Sequence, residues 1–136
     1  MGMDKFNIIL LAIIFDPAKR KILIVRRGDE DEDIKNLIWQ FPEGRLRYGN
    51  DVDEILEGKI KKKTGLDIKN LGAVSSKIYP EKEDLLAIYF LCEVISGKEK
   101  PADDFVELKW VKPEELENYF TTSFHPHMKE YILNLK

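Results

Sequence analysis

The sequence predicts a single α/β domain, and three observations carry that reading. A strongly apolar run, Phe6–Phe15, has the length and composition of a strand buried on both faces. A lone amphipathic helix, Asp51–Lys63, interrupts the strand-like segments at mid-chain and is closed by Gly65. Further β-rich runs follow at Ile68–Tyr79, Leu85–Ile95 and Val106–Val111, and helical patterns end the chain. A chain of 136 residues is near the modal domain size and buries a real core, with no room for a second domain.

The opening run is too short to span a bilayer and lacks a small-residue cleavage site, so neither a membrane span nor a secretory signal is expected. Asp16-Pro17-Ala18-Lys19 is a turn signal, and Lys21–Val25 returns as a second strand to make a hairpin. Arg26 and Arg27 end that strand. Gly28 and the acidic run Asp29–Asp33 follow; such a run repels itself and reads as an exposed loop. The stretch Trp39–Leu66 then reads as a strand end, a Pro/Gly turn, a short extended run and the helix.

Asp51 and Glu54 have the spacing of a capping box, and Gly65 provides a left-handed stop against which Leu66 folds back on Ile60. At about 100° per residue, Val52, Ile55, Leu56 and Ile60 share one face. Lys59 and Lys63 fall inside that apolar arc and Lys62 lies at its edge. Burying an unpaired ammonium is costly. Either these lysines snorkel to solvent, or the arc borders a cleft that they line. Gly58, in the helix interior, costs about 1 kcal/mol relative to alanine, which suggests that something needs the space.

After the helix, Ile68–Tyr79 is a strand with an irregular middle at Gly72 and Ser75-Ser76, and Pro80–Asp84 is a polar turn. Leu85–Ile95 is apolar enough to be central, and Gly97–Asp104 is a loop. Pro113 opens a short helix at Lys112–Leu116, and His125–Leu135 is the final amphipathic one. His125 and His127 read as surface residues rather than a metal pair, because no third ligand is nearby in sequence. The net charge of −3 gives no global attraction to nucleic acid or an anionic membrane. Cys92 has no partner for an internal disulfide and packs as a small hydrophobe, which fits a reducing cytosol. High Lys and Glu content with a single Gln is a composition of thermophilic type.

Gly44, Gly49, Gly65 and Leu66, preceded by Trp39, Phe41 and Pro42, resemble the Nudix box, G-x5-E-x7-R-E-U-x-E-E-x-G-U, with U aliphatic. Ile60 takes the internal aliphatic position, and the segment Trp110–Leu116 resembles the C-terminal strand-to-helix junction of that family. The resemblance covers almost the whole chain and implies an α/β sandwich, a mixed sheet with the box helix on one side and the C-terminal helices on the other. The acidic positions depart from the pattern. Its first Glu is Asn50, its Arg is Gly58, the next Glu is Lys59, and the paired Glu residues are Lys62 and Lys63. Arg47 stands where an acid is frequent, and Pro-Gly-Gly has become Pro42-Glu43-Gly44.

In Nudix hydrolases those glutamates hold Mg²⁺ or Mn²⁺ against a diphosphate. A hard cation needs oxygen ligands, whereas an ammonium offers donors only and repels it. The resemblance therefore implies a Nudix fold with a disabled box, no metal and no cofactor. Arg26, Arg47, Lys59, Lys62 and Lys63 remain as phosphate partners, with Tyr48 placed to stack on a base. The ligand class is a nucleotide-like small molecule. One alternative is an active hydrolase of a nucleoside diphosphate linked to another group, with Mg²⁺ or Mn²⁺ held by Asp103, Asp104, Glu107 or the acidic run. Another is a non-catalytic module for an acidic protein or RNA. The acidic run is also a candidate internal plug for the basic group, and the family's frequent dimers make a homodimer an expectation.

Overall fold

The computed structural model describes residues 4–29, 38–120 and 126–135, with the side chains at 126 and 127 left aside. The acidic run from Glu30 onward and His125 lie outside the described residues, as does the side chain of His127. The strands are β1 (Asn7–Asp16), β2 (Lys21–Arg27), β3 (Trp39–Gln40), β4 (Glu43–Leu46), β5 (Leu66–Tyr79), β6 (Lys82–Gly97) and β7 (Phe105–Val111). The helices are α1 (Val52–Thr64), α2 (Leu116–Tyr119), entered through a 3-10 turn at Pro113–Glu115, and α3 (Pro126–Leu133). No described helix is long and apolar enough to cross a membrane.

β1 organises the sheet. It runs parallel to β6, from Asn7↔Leu85 to Ile14↔Cys92, and that one parallel pair makes the sheet mixed. Its other edge is shared: β4 pairs antiparallel with Ile8–Leu11, and β2 takes over at Phe15 and Asp16. β2 then carries β3 and β7, both antiparallel. The sheet therefore forks between β4 and β2, and the candidate site lies at this fork.

Alternation along β1 explains the two cores. Ile9, Leu11, Ile13 and Phe15 join Leu116, Met128 and Ile132 on one face. Leu10, Ala12 and Ile14 join Leu56 and Ile60 of α1 on the other. The α/β sandwich expected from the sequence is thus the architecture observed, with α1 and the C-terminal helices on opposite faces. Edge-to-face rings fasten the C-terminal side: Trp39 on Tyr119 at 5.5 Å and Phe41 on Phe120 at 5.0 Å.

Local expectations fare unevenly. Gly65 is left-handed (φ 80°) and its N–H bonds to Lys61 O at 2.9 Å, the stop that the sequence predicts. The capping box is not formed. Asp51 has the extended backbone of an N-cap, but its carboxylate makes no capping bond. The first-turn acids Asp53 and Glu54 favour the positive helix end through charge, and Asp53 Oδ1 accepts instead from Asn70 Nδ2 across to β5 (2.8 Å). The polar segment Pro80–Asp84 is mostly strand: only Pro80 and Glu81 turn, and Lys82 already pairs with Tyr79. Charge on an exposed hairpin end is compatible with β structure, which a composition-based loop assignment overlooks. The irregular middle of β5 is real, with register shifts between Asn70 and Gly72 and between Ala73 and Ser75.

Candidate functional site at the fork of the sheet

α1 crosses β4 at close range because Gly44 has no side chain. A Cβ there would lie 3.0 Å from Lys59 Cγ and 3.2 Å from Ile55 Cγ2. The Lys59 stem therefore lies across Gly44, half-buried, and its ammonium has no ion-pair partner among the described residues. Arg47, Tyr48, Gly49 and Asn50 form the exposed turn leading into α1, with Asn50 N–H bonded to Arg47 O at 3.2 Å. Tyr48 is fully exposed.

One helical turn beyond Lys59, Lys63 reaches into the fork. Its side chain is only 15% exposed, its ammonium lies 3.5 Å from Asp104 Oδ1, and it stands 4.8 Å above the ring of Phe105. The other Asp104 oxygen, Oδ2, is 3.1 Å from Arg27 Nη1. Arg27, 10% exposed, also reaches Glu43 Oε1 at 3.4 Å and so bridges β2 to β4 across the fork. Two acids and two bases here sum to no net charge. Beside them Lys62 pairs with Asp103 at 3.6 Å, while on the other face of β2 Arg26 Nε donates to Glu107 Oε1 at 2.9 Å.

The acids arrive by a specific route. The segment 98–104 folds over the end of α1, where Lys100 N–H donates to Thr64 O (2.8 Å) and Ala102 N–H to Lys63 O (3.0 Å). These bonds satisfy helix carbonyls that would otherwise lack partners. Gly28 N–H donates to Asp104 O at 3.0 Å, which ties the same segment to β2. Asp103 takes a left-handed backbone (φ 56°). The outcome is two consecutive aspartates set against two consecutive lysines.

The structure thus gathers Lys59, Lys62, Lys63, Asp103 and Asp104 around one region, with Arg47 and Tyr48 in the turn before α1, whereas Arg26 and its partner Glu107 follow the alternation of β2 and β7 onto the opposite face, that of Ile22, Ile24 and Val111. Counting cations in the sequence overstates the free positive charge, because Arg26, Lys62 and Lys63 each face a carboxylate. Two participants escape a sequence reading. Arg27 looks like a solvated strand-end charge, and Glu43 shows only as a replaced glycine; that replacement was the available signal. The expected gap at Gly58 serves no neighbour among the described residues: a Cβ there would meet none of them within 4 Å. Among the described residues no group of three or more His, Cys, Asp or Glu side chains is placed to hold a metal ion.

A mixed sheet forked at its centre, with a mid-chain helix and a late loop closing on the fork, defines the class of this protein. A model of the NUDIX domain matches residues 5–135, and the chain belongs to that family. A MutT protein from Methanosarcina mazei Go1 superposes with a TM-score of 0.75 at 17% identity, covering 97% of this chain and 94% of that one. A NUDIX hydrolase from Nitrosomonas europaea gives 0.72 at 19% identity, covering 94% and 86%. An ADP-ribose pyrophosphatase from Streptococcus suis 89-1591 gives 0.64 at 21% identity, covering 79% and 75%. At such identities the likeness establishes the fold. No curated protein matches the sequence.

Proposed function

We propose that this Nudix-fold chain has lost metal-dependent diphosphate hydrolysis and binds a phosphate-bearing, nucleotide-like ligand directly, with lysines supplying the counter-charge. The supporting observation is Lys59, a half-buried residue whose stem lies across Gly44 and whose ammonium has no carboxylate partner among the described residues. Lys62 and Lys63 lie one turn further along α1 and Arg47 in the preceding turn, so an anion near Lys59 has further cations to recruit. Lysine is a competent phosphate partner as a point charge. Tyr48 offers an unobstructed ring for stacking.

The donor set does not suit the divalent cation that the family implies. The acids within the fork, Glu43 and Asp104, both touch the Arg27 guanidinium, and Asp104 also faces Lys63. A divalent ion seated among them would meet two positive groups at close range. The nucleotide-linked diphosphate class is suggested by the relatives, among them the ADP-ribose pyrophosphatase of Streptococcus suis.

Calorimetric titration with ADP-ribose tests the reading. Equal affinity in EDTA and in Mg²⁺ is expected, with about tenfold weaker binding by Lys59→Met, a loss equivalent to about 1.4 kcal/mol. Binding only with metal, or turnover with Mg²⁺ or Mn²⁺ that Asp104→Asn abolishes, would overturn it in favour of an active hydrolase.

A further inference from the structure

We infer that the loop 98–104 is a built-in competitor for the anionic ligand, its Asp103 and Asp104 carboxylates standing where the ligand's phosphates go. The inference rests on reading the fork as an anion site. It departs from the sequence-based expectation that the acidic run Asp29–Asp33 would be the plug.

Asp104 uses both carboxylate oxygens as a phosphate would, one toward Arg27 (3.1 Å) and one toward Lys63 (3.5 Å). Those two cations are poorly hydrated, at 10% and 15% exposure, so an anion that faces them gains much from the pairing. Asp103 answers Lys62 in the same way at 3.6 Å, with side chains 41% and 65% exposed, and contributes less. Backbone bonds to Thr64 O, Lys63 O and Gly28 N–H hold the loop in place, and among its residues 98–104 only Ala102 and Asp104 are even partly buried. The two carboxylates can therefore turn away from the cations by side-chain rotation while the loop stays on the helix end. A diphosphate carries more charge than a carboxylate and offers more acceptor oxygens, so it can take over Lys63 and Arg27 when it arrives. Until then Arg27, Lys62 and Lys63 stay paired with carboxylates, and Lys59 is the cation of the site without one among the described residues.

Inorganic pyrophosphate, titrated in EDTA into the full-length chain and its variants, tests this. Asp104→Asn should bind pyrophosphate about tenfold more tightly than wild type, equivalent to about 1.4 kcal/mol. Asp103→Asn should gain about threefold. Glu117→Gln makes the same change in net charge on α2, where Glu117 pairs with Lys129, and should leave affinity unchanged. Asparagine tolerates the left-handed backbone at position 103, so Asp103→Asn against Glu117→Gln carries the comparison if Asp104→Asn does not fold. Unchanged or weaker binding by the loop variants, with wild type binding normally, would overturn the loop's role alone. Absence of pyrophosphate binding in every protein would overturn the anion-site reading with it.

Discussion

Gly65→Ala should be among the most damaging single substitutions in this chain, and its magnitude can be worked from the structure. Position 65 has φ 80°, and holding an alanine in the left-handed region costs roughly 1–2 kcal/mol. The new Cβ would also overlap the Lys98 carbonyl oxygen, a backbone atom that cannot rotate away. Relief requires moving the segment 98–102, which strains the bonds from Lys100 N–H to Thr64 O and from Ala102 N–H to Lys63 O. Each contributes about 1 kcal/mol, so the total loss is about 2–4 kcal/mol out of a stability of roughly 5–15. Urea denaturation followed by circular dichroism measures it. Gly65→Asn separates the two causes: asparagine tolerates the left-handed backbone but carries the same Cβ, so it should lose most of what alanine loses. A loss below about 1 kcal/mol for alanine, or full rescue by asparagine, would refute the claim that the loop is packed onto the helix end.

Gly58→Ala should have the opposite sign, gaining about 1 kcal/mol in the same assay, because a Cβ there meets no neighbour and the helix loses its most flexible residue. Alkaline pH should destabilise the fold. Burial first, then the Glu57 and Asp53 carboxylates, pushes the Cys92 thiol from 9.0 to about 12. Burial likewise raises the Tyr89 phenol from 10.0 to about 12, assisted by Glu81 and opposed by the Tyr79 hydrogen bond. Both groups ionise more readily in the unfolded chain, so their contribution is intact below pH 9 and is lost as pH rises from about 9 to about 12. Urea midpoints measured across that range should fall, and Cys92 should resist alkylation at pH 8 until the chain unfolds.

The core was legible because composition and periodicity are local. The unbroken apolar run of β1 and the helical spacing of Leu56 and Ile60 each name buried positions without knowledge of the partner. The C-terminal stop at Gly65 was legible for a similar reason, since glycine's freedom is local. Asp51 does occupy the N-cap position, and the missing side-chain bonds of its capping box have no explanation in the local sequence. The site shows the same division. Lys59, Lys62 and Lys63 announce themselves on an apolar helical face, whereas the pairing of Lys62 and Lys63 with carboxylates depends on the loop 98–104 folding onto the helix end. That contact joins segments with no shared pattern, and Arg27 with Glu43 joins two strands across the fork.

The central claim concerns the sign of the charge that the fork accepts. Mn²⁺ titrated into the protein, with free ion followed by electron paramagnetic resonance, tests it most directly. The account predicts no stoichiometric binding at concentrations that saturate carboxylate-built Mn²⁺ sites, and no change on Asp104→Asn. One tightly held Mn²⁺ per chain, released by Asp104→Asn, would contradict it.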